Sequence, residues 1–403
     1  MSADRATDIL IAGTGPAGMI AALALADASF EVVLAGPRPT HEDRRTTALM
    51  MPAMKLMERL DLAEGLKSEA APLKTMRIID ATSRLIRSPV VTFRSSEIGE
   101  DAFGYNVPNM QLSRQLETAV RERPGISWQE EMVRHWHTAR DAVEAELEDG
   151  SRVSAKLAVA ADGRMSPARN AAGIRAFTRD RRQSALVVNF SHARDHAGIS
   201  TEFHTETGPF TQVPLPGKRS SLVWVARPAA TRELLTLDDK ELSRRIEEKM
   251  QSMLGRVEVE PGRQVYPLSS ALPMRFARNR IALVGEAAHV FPPIGAQGLN
   301  LGIRDVEDLV ASALLDRNDP GSASVMWRYD AKRRPDIMAR STAVNMLNMS
   351  LLSDFLPAQL LRTAGLSVIG NLAPVRSFFM REGLHPGSGW KNLFSDLRKE
   401  VRR

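Results

Sequence analysis

The chain has 403 residues, of which 43% are hydrophobic and 25% are charged, and its formal net charge is +6. This length exceeds the size at which a single hydrophobic core keeps growing, so we expect two packed lobes with an appendage. The absence of cysteine excludes disulfides, thiolate metal sites and a cysteine nucleophile, and it fits a reducing cytoplasm.

The distribution of charge argues against some partners. The arginines are dispersed and aromatic residues make up only 5% of the chain, so we expect no nucleic-acid partner. The positive charge instead favours an anionic cofactor or an anionic membrane surface. Residues 1–8 contain acids and no apolar core of signal-peptide length, so we expect a cytoplasmic protein. The eight histidines show no metal-ligand spacing, and we expect no metal.

The first predicted elements form a strand, a glycine-rich turn, a helix and a second strand within residues 8–34. In such a unit the first glycine makes the tight turn, the second lets the backbone approach a pyrophosphate, and the third allows close helix packing. The helix N-terminus then binds the pyrophosphate. The sequence therefore predicts a dinucleotide site, with these residues in the turn: Gly13, Gly15, Pro16, Ala17 and Gly18. No second fingerprint occurs, so a nicotinamide nucleotide has no domain of its own.

Two stretches downstream, residues 75–103 and 185–228, alternate in the manner of short strands. We expect them to form one antiparallel sheet that is separate from the nucleotide lobe. From about residue 320 the pattern becomes helical, with expected breaks at Pro335, Pro357 and Pro374.

Two polar turns follow apolar strands in the middle and later parts of the chain. Asp162-Gly163 follows the first, and taken alone it is an ordinary strand-end turn. The second turn, residues 285–289, leads through two prolines and two glycines into a helix that begins near residue 300. The prolines stiffen this path and the glycines permit a tight backbone. Exposed amides at the helix start can stabilise a negative charge.

Taken together, the motifs at residues 13–18, 161–163 and 285–300 resemble the FAD-dependent aromatic hydroxylases. These are single-component flavoprotein monooxygenases that include 4-hydroxybenzoate hydroxylase, and the ordered motifs span residues 9 to about 310. Within the family, the chain looks most similar to the ubiquinone-biosynthesis hydroxylases. The features that carry this finer resemblance are Asp43-Arg-Arg45-Thr-Thr-Ala-Leu49, Asn109-Met-Gln-Leu112, Tyr266-Pro-Leu268, and a helical tail with Tyr329 and Arg333-Arg334.

The resemblance implies an α/β fold with a Rossmann-like FAD-binding lobe, a mostly antiparallel substrate sheet lobe and a C-terminal helical region. We expect the FAD lobe in residues 1–180, of which 75–103 join the substrate sheet, and the substrate lobe in 181–270. Residues 271–330 return to the FAD lobe with the flavin-ring turn and its helix, and 331–403 form the helical region.

The implied reaction is the hydroxylation of a phenolic ring, and the finer resemblance implies the ring of a polyprenylated ubiquinone precursor. NADH or NADPH would reduce FAD transiently, and the reduced flavin would use O2, while the protein orients the ring and excludes water. Three alternatives stay open: a hydroxylase of a soluble aromatic acid, an FAD-dependent prenyl-lipid reductase without oxygen insertion, and a non-enzymatic flavin-binding assembly subunit. The sequence leaves open the ring and carbon, the nicotinamide and the oligomeric state.

The resemblance also assigns roles to single positions. Asp162 and Gly163 match a motif that serves both FAD and the nicotinamide nucleotide. Pro292, Pro293 and Leu299 would be the catalytic positions, with the prolines facing the substrate ring. The other positions implied to bind FAD are Arg45, Asn109, Arg114, Gly285, Glu286, Gly295, Gly298, Leu299 and Asn300.

Two positions depart from the family pattern. The second strand usually ends in an acid that binds the adenosine ribose, but this chain has Gly36 there. Position 286 is Glu where the family usually has Asp, and the extra methylene moves the carboxylate by roughly 1.5 Å. We expect both departures to weaken FAD binding, and their reversal to strengthen it.

Other conspicuous residues receive structural interpretations. We interpret His289 as a packing and hydrogen-bonding residue of its turn. Met50, Met51, Met54 and Met57 are interpreted as core, with an apolar tunnel as the alternative. The basic run at residues 179–182 is interpreted as a solvated loop.

The tail has two interpretations. No stretch reaches the roughly 20 apolar residues that span a bilayer, so we expect no transmembrane helix. The tail is either a helical cap on the first lobe or an apolar surface beside Arg362, Arg376 and Arg381 that docks at an anionic membrane. The second interpretation places the protein peripherally on the inner membrane face.

Overall fold

The computed structural model describes residues 5–40, 43–83, 88–291, 298–352 and 373–384, with the backbone alone for residues 340–352. One-turn 3-10 helices cover Ser95–Ile98 and Gly285–Ala287. The α-helices within these ranges are α1 (Pro16–Asp27), α2 (Met51–Arg59), α3 (Ala63–Ser68), α4 (Asn109–Glu122), α5 (Pro167–Ala171), α6 (Pro228–Thr236), α7 (Asp239–Lys249), α8 (Gly298–Ala313), α9 (Ala323–Leu352) and α10 (Ala373–Leu384).

The first sheet has a parallel centre. Its strands are β1 (Arg5–Ala12), β2 (Val32–Ala35), β8 (Ile126–Gln129), β9 (Val133–Thr138), β10 (Val143–Leu147), β11 (Arg152–Ala160), β18 (Ala277–Arg278) and β19 (Ile281–Leu283). The order is β18-β19-β11-β1-β2-β8, and β10 joins β11 to β9. Strands β19, β11, β1, β2 and β8 run parallel, so their carboxyl ends meet at one edge, where such sheets bind ligands.

Apolar runs explain the burial of this sheet. Ile9, Leu10 and Ile11 of β1 are fully buried, as expected for a parallel strand covered on both faces. Helix α1 packs closely on the turn before it because Gly18 has no side chain. A Cβ at Gly18 would lie 1.9 Å from the carbonyl oxygen of Gly13.

The second sheet is mostly antiparallel. Its strands are β5 (Thr75–Asp80), β6 (Val91–Arg94), β12 (Ala176–His192), β13 (Ile199–Thr205), β14 (Gly208–Leu215), β15 (Arg219–Ala226), β16 (Val257–Val259) and β17 (Gln264–Pro273). The order is β16-β12-β15-β14-β13-β5-β6, with β17 on β12, and only the β13–β5 pair among these is parallel. The predicted fold class, an α/β protein with a second, mostly antiparallel sheet, is confirmed.

The two faces of the second sheet differ in what covers them. One face packs its large apolar side chains, such as Phe203 and Phe210, against α6 and α7. The opposite face is directed toward the first lobe. There the guanidinium of Arg45 lies over the ring of Tyr266, 4.8 Å from its centroid, and the Asn189 Nδ2 donates to the carbonyl oxygen of Arg44 at 3.1 Å. We call this second surface the lobe-facing face.

A small third sheet lies between the larger two. It consists of β3 (Thr46–Met50), β4 (Ala71–Pro72) and β7 (Gly104–Pro108), in the order β3-β7-β4. The side-chain amide of Asn106 in β7 donates to the carbonyl oxygen of Pro214 in β14 at 2.8 Å. This bond fixes the third sheet to the second.

The described part of the helical region packs on both lobes: Arg333 and Ile337 of α9 are buried against the first lobe, as expected for a cap, whereas α10 packs on the second sheet. In α10, Met380 packs with Phe103, and Met76 and Phe93 of β5 and β6 border this pair. The Nε of Arg376 lies 2.6 Å from Glu97 Oε2, so this arginine is held inside the fold. Residues 353–372 and 385–403, with Pro357 and Arg362, lie outside the described residues.

Two smaller expectations were wrong. The basic run at residues 179–182 belongs to β12, where a register shift between Asp180 and Ser184 marks a bulge, although its side chains are largely exposed. Helix α9 continues through Pro335 instead of breaking there. A proline inside a helix removes one backbone hydrogen bond, and packing of the flanking turns can offset that cost. Among the described helices, none is long and apolar enough to cross a membrane.

Candidate FAD site

The turn after β1 has the shape that a pyrophosphate requires. Gly13 has φ +109°, and a Cβ there would lie 2.3 Å from the carbonyl oxygen of Ala161. Gly15 precedes α1, and a Cβ built on it would meet no atom within 4 Å. No side chain caps the N-terminus of α1, and Pro16 and Ala17 open the helix. The helix amides therefore point toward open space beside Gly15, which fits an anionic group.

Asp162 lies beside this turn at the end of β11. Its Oδ2 accepts a hydrogen bond from the Ala168 amide at 3.0 Å, whereas its Oδ1 is buried and meets no hydrogen-bond partner among the described residues. Burial raises the pKa of Asp162 above its ordinary value. Gly163 has φ +83° and open space on its Cβ side. A buried carboxylate oxygen without a partner fits a site that a bound hydroxyl group completes.

The second turn of the site follows β19. Gly285 has φ +61°, and a Cβ there would lie 2.8 Å from the Cβ of Ala17 in α1. The structure therefore brings the turn at Gly285 and Glu286 against the start of the pyrophosphate helix. Both motifs lie at the same edge of the first sheet, as a dinucleotide that extends from one to the other requires.

A buried acid holds this second turn in place. Asp305 of α8 is fully buried, and its Oδ2 accepts from the Gly285 amide at 3.0 Å and from His289 Nε2 at 2.7 Å. The interpretation of His289 as a packing and hydrogen-bonding residue is thus confirmed. The sequence did not assign a role to Asp305. The available signal was an acid 20 residues after Gly285, in the helix that follows the turn.

Helix α9 completes this arrangement. The Nε of Arg333 lies 2.7 Å from Asp305 Oδ1, and its Nη1 lies 2.9 Å from both Asp308 and Asp336. Burial alone would lower the pKa of Arg333, but these acids outweigh it and raise the pKa. One turn earlier, the fully buried hydroxyl of Tyr329 donates to the carbonyl oxygen of Leu283 at 2.6 Å. Helix α9 is therefore bonded to β19 and to the turn behind it.

The start of α8 lies along β3. The side chain of Asn300 donates to the carbonyl oxygen of Ala48 at 2.7 Å and accepts from the Met50 amide at 2.9 Å. Leu299 is partly buried against the main core, and Gly298 is exposed with open space on its Cβ side. The bonds from Asn300 to β3 therefore fix the position of the backbone amides of Gly298 and Leu299 at the start of α8. Pro292, Pro293 and Gly295 lie outside the described residues.

Arg45 and Asn109 meet on a shared acid. Asp43 accepts two bonds from Arg45 Nε, at 2.8 and 3.0 Å, and one from Asn109 Nδ2 at 2.8 Å. Burial alone would raise the pKa of Asp43, but these hydrogen bonds outweigh it and lower the pKa. The structure thus brings together two of the predicted residues through a partner that sequence analysis did not assign.

Arg114 is not brought to the other predicted residues. It is exposed on α4 and lines a surface cleft with Leu60, Leu62 and Arg123. None of the other residues predicted to bind FAD lines that cleft within the described chain.

The two departures from the family pattern have visible consequences. Gly36 has φ +145°, and a Cβ there would lie 3.1 Å from Thr14 Cγ2, so its backbone suits glycine. Glu286 is exposed over 56% of its side chain, and its Oε2 lies 3.5 Å from the Nε of Arg164. The longer acid therefore reaches from the second turn to the loop after Asp162.

The methionines after Arg45 separate into two groups. Met54 and Met57 are buried in the main core, which confirms their interpretation as core residues. Met50 and Met51 are partly buried, and Met50 packs at the edge of the cluster formed by Phe103 and Met380.

Comparisons with known proteins agree with this geometry. Residues 6–343 match the family described as the FAD binding domain. The chain is 32% identical over 394 residues to the ubiquinone hydroxylase UbiL of Rhodospirillum rubrum, which covers 95% of this chain and 90% of that protein. It is 27% identical over 378 residues to the 3-demethoxyubiquinol 3-hydroxylase of Escherichia coli, with 90% and 94% covered.

A solved structure shares the fold. The p-nitrophenol 4-monooxygenase PnpA from Pseudomonas putida DLL-E4 superposes with a TM-score of 0.75 at 20% identity, covering 96% of this chain and 98% of that chain. The family match extends over most of the chain, and the glycine turns and the incompletely bonded Asp162 fit the cofactor that it names. The chain belongs to the FAD binding domain family and is an FAD-dependent monooxygenase.

Proposed function

We propose that this enzyme hydroxylates the phenolic ring of a polyprenylated ubiquinone precursor, with FAD, O2 and NADH or NADPH. The observation that carries the proposal is the lobe-facing face of the second sheet. Its central residues are partly exposed and mostly apolar, which suits a ring with a long apolar tail; they include Met76, Ile78, Val187, Val213 and Val223. The names of the relatives from Rhodospirillum rubrum and Escherichia coli support the same substrate class.

We assign the cofactor-binding roles as follows. The turn at Gly13, Gly15 and Gly18, with Pro16 and Ala17, binds the pyrophosphate through amides at the start of α1. Asp162 offers its unpartnered oxygen to a hydroxyl of the cofactor. Gly285 and Glu286 hold the ribityl chain. The amides at the start of α8 stabilise negative charge at the pyrimidine edge of the reduced flavin.

When bound, FAD accepts electrons from the nicotinamide nucleotide and activates O2, which no side chain of the described chain does. The chain's own residues bind, orient and exclude water. Arg44 links the lobes, because its Nη1 donates to the carbonyl oxygen of Pro261 at 2.6 Å while its own carbonyl oxygen accepts from Asn189. This link holds the two lobes together beside the site, from which water must be excluded because it would divert the reaction to peroxide.

Labelled oxygen tests this function. Purified enzyme with FAD, NADPH or NADH and a prenyl-tailed phenol should transfer one labelled atom from O2 to the product. Turnover of the nicotinamide with a changed substrate but no label would support the reductase alternative. Equal activity on a tail-less aromatic acid would instead assign the enzyme to soluble substrates.

We also propose that the protein is cytoplasmic and contacts the inner membrane face peripherally, since a long-tailed substrate resides in the bilayer. The support lies on α9, where Trp327, Arg334 and Met338 are spaced by 7 and 4 residues and so share one helix face. Trp327 is 69% exposed and Met338 is 53% exposed. An exposed tryptophan beside an arginine is typical of a membrane interface. We call this surface the α9 stripe.

A further inference from the structure

An acid on β8 lies next to the position where β2 lacks one. A dinucleotide-binding βαβ unit usually carries an acid about 20 residues after its glycine turn, and this acid binds the adenosine ribose. This chain has Gly36 there. Strands β2 and β8 run parallel with Ala35 opposite Gln129, so Gly36 and Glu130 are the next residues along the two strands. Neighbouring strands are about 4.8 Å apart, so Glu130 begins one strand away from the position of the usual acid.

The segment after β2 is bonded to the end of β8. The Gly36 amide donates to the carbonyl oxygen of Gln129 at 3.0 Å, and the indole Nε1 of Trp128 donates to the carbonyl oxygen of Gly36 at 2.9 Å. The Nε of Arg38 lies 2.7 Å from Oε1 of Glu130. The carboxylate of Glu130 is therefore held beside the turn that follows β2.

The same turn contacts the pyrophosphate turn. The Thr14 hydroxyl donates to the carbonyl oxygen of Pro37, and a Cβ at Gly36 would lie 3.1 Å from Thr14 Cγ2. Strands β1, β2 and β8 are neighbours with their carboxyl ends at one edge of the sheet. A cofactor with its pyrophosphate beside Gly15 therefore meets the turn after β2, and then Glu130, next along this edge.

The side chain of Glu130 projects to the face of the sheet that carries the pyrophosphate helix. Trp128 and Glu130 are two residues apart on β8 and its end, so they share one face. Arg121 of α4 contacts both: its guanidinium lies 4.9 Å from the centre of the Trp128 ring, and its Nη2 lies 3.3 Å from Glu130 Oε1. Helix α4 packs with α1 on this face. The carboxylate therefore lies on the α1 side of the sheet edge.

Glu130 has an oxygen available to a hydroxyl group. Arg38 and Arg121 both bond Oε1, whereas Oε2 has no hydrogen-bond partner within the described chain. The hydrogen bonds from these two arginines hold the pKa of Glu130 below its ordinary value, so the carboxylate is ionised at neutral pH. An ionised carboxylate only accepts hydrogen bonds, and a ribose offers two neighbouring hydroxyl donors. The side chain is 48% exposed, which leaves room for such a donor.

We propose that Glu130 binds the adenosine ribose of FAD in place of the acid that β2 lacks. Its Oε2 accepts a hydrogen bond from a ribose hydroxyl, while Arg38 and Arg121 hold Oε1. The ribose-binding acid has thus moved to the neighbouring strand, and the backbone at Gly36 stays free of a side chain. This role rests on the binding of FAD and is independent of the substrate that the enzyme hydroxylates.

The test compares two cofactors on the full-length protein from which flavin has been removed. One is FAD, and the other is its dideoxyadenosine analogue, in which hydrogen replaces both hydroxyl groups of the adenosine ribose. The Kd of each is measured by flavin fluorescence. The wild type should bind the analogue about tenfold more weakly than FAD, because a hydrogen bond to a charged group is lost. In Glu130→Ala this preference for FAD should fall to about twofold or less, and in Glu130→Gln, which keeps a neutral acceptor, it should be intermediate.

Two controls separate the ribose contact from a change in structure. Glu131→Ala removes the next acid along the chain, which is also exposed, and should keep the full preference for FAD. Denaturant unfolding of the flavin-free Glu130→Ala protein should have the same midpoint as that of the wild type, because exposed ion pairs contribute little to stability.

The outcomes are distinguishable. Equal preference for FAD in the wild type and in Glu130→Ala would place the ribose contact on another residue and overturn the proposal. A Glu130→Ala protein that loses affinity for both cofactors by the same factor would also contradict it, because the effect would then be one of charge or structure. A wild type that binds the two cofactors equally would exclude any bond to the ribose hydroxyls. The proposed hydroxylation stands or fails separately, through the labelled-oxygen measurement.

Discussion

The backbone at Gly36 determines how this enzyme can bind the adenosine ribose. Sequence analysis predicted that an acid at this position would tighten FAD, because the family usually has one. With φ +145° and Thr14 at contact distance, a side chain at Gly36 is strained. The backbone conformation at this position therefore favours glycine. An acid there is no longer expected to tighten FAD binding.

We accordingly expect Gly36→Glu to bind FAD no more tightly than the wild type. Strain of this kind lowers the free energy of unfolding by about 1–3 kcal/mol. Gly36→Ala is the matched control, because it has the same strain without the carboxylate. Fluorescence titration of FAD into both variants decides the point: tighter binding by the Glu variant than by the Ala variant would mean that the ribose bond forms after all.

Asp162 illustrates a conflict between stability and binding. Because burial raises its folded-state pKa above the unfolded value of about 3.9, its stabilising contribution is present below that value and is lost as the pH rises through the folded pKa. Asp162→Asn should therefore increase the free energy of unfolding of the FAD-free protein at neutral pH. The increase should become smaller toward pH 4, where the wild-type carboxyl is also neutral.

The same substitution should weaken FAD binding, since it replaces a charged hydrogen-bond acceptor by a neutral amide. A hydrogen bond to a charged group is worth about 1.5–3 kcal/mol, so we expect Kd to rise by roughly ten- to a hundredfold. Denaturant titrations at pH 4 and pH 7, with FAD titrations beside them, measure both effects. A variant that is stabilised and binds FAD as tightly as the wild type would remove Asp162 from the site.

Positions whose role depends on the backbone could be predicted from the sequence. Gly13, Gly18 and Gly285 occupy places where a Cβ would collide, and such needs leave a glycine in the sequence. No role could be assigned from the sequence to Asp43 or Arg164, because they meet their partners Arg45 and Glu286 through side-chain contacts. A local sequence pattern does not predict a side-chain contact of that kind.

At the level of elements, α9 acts on the flavin turn through buried charge. Arg333 balances Asp305, Asp308 and Asp336, and Asp305 in turn holds Gly285 and His289. Removal of one partner from a buried ion pair leaves charge without compensation, which costs about 3–5 kcal/mol. The helix therefore contributes to the FAD site without forming any part of its surface.

Arg333→Met should lower the free energy of unfolding by about 3–5 kcal/mol and weaken FAD binding through the loosened turn. Arg334→Met is the matched control: its pair with Asp330 is partly exposed, and such pairs contribute about 0–1 kcal/mol. Chemical denaturation and FAD titration of both variants are the measurements. Equal effects of the two substitutions would contradict a special role for the buried arginine.

Elements with a regular pattern of apolar residues were predictable from the sequence. Elements interrupted by a proline or by a run of charged residues were not. The βαβ unit at residues 8–34 follows from apolar strands around a glycine turn, and β1, α1 and β2 lie there. The helix break expected at Pro335 does not occur, because tertiary contacts of Tyr329 and Arg333 hold the helix on its N-terminal side. The loop expected at residues 179–182 is replaced by a strand with a bulge, since pairing of Arg179 and Asp180 with β17 overrides the polar composition.

For the molecule as a whole, function depends on which sheet face meets the first lobe. The sequence predicted that residues 75–103 and 185–228 share a sheet, and β5 and β13 do pair, although in parallel. It could not predict the register that places Glu202 beside Ile78, because register between distant strands is set by packing.

Access to a membrane-resident substrate gives the last prediction. The α9 stripe exposes Trp327 and Met338 beside Arg334, and burial of both side chains at a lipid interface is worth roughly 1.5–3 kcal/mol each. The wild type should bind anionic vesicles at low salt and release them as salt screens the charge.

Trp327→Ser with Met338→Ser should reduce vesicle binding and raise KM for a prenyl-tailed phenol held in vesicles, with kcat for a detergent-dispersed substrate unchanged. Met132→Ser, at a methionine that is 51% exposed in the connection between β8 and β9, serves as the control. Vesicle flotation that does not distinguish the two variants would mean that the α9 stripe is an ordinary solvent-exposed surface.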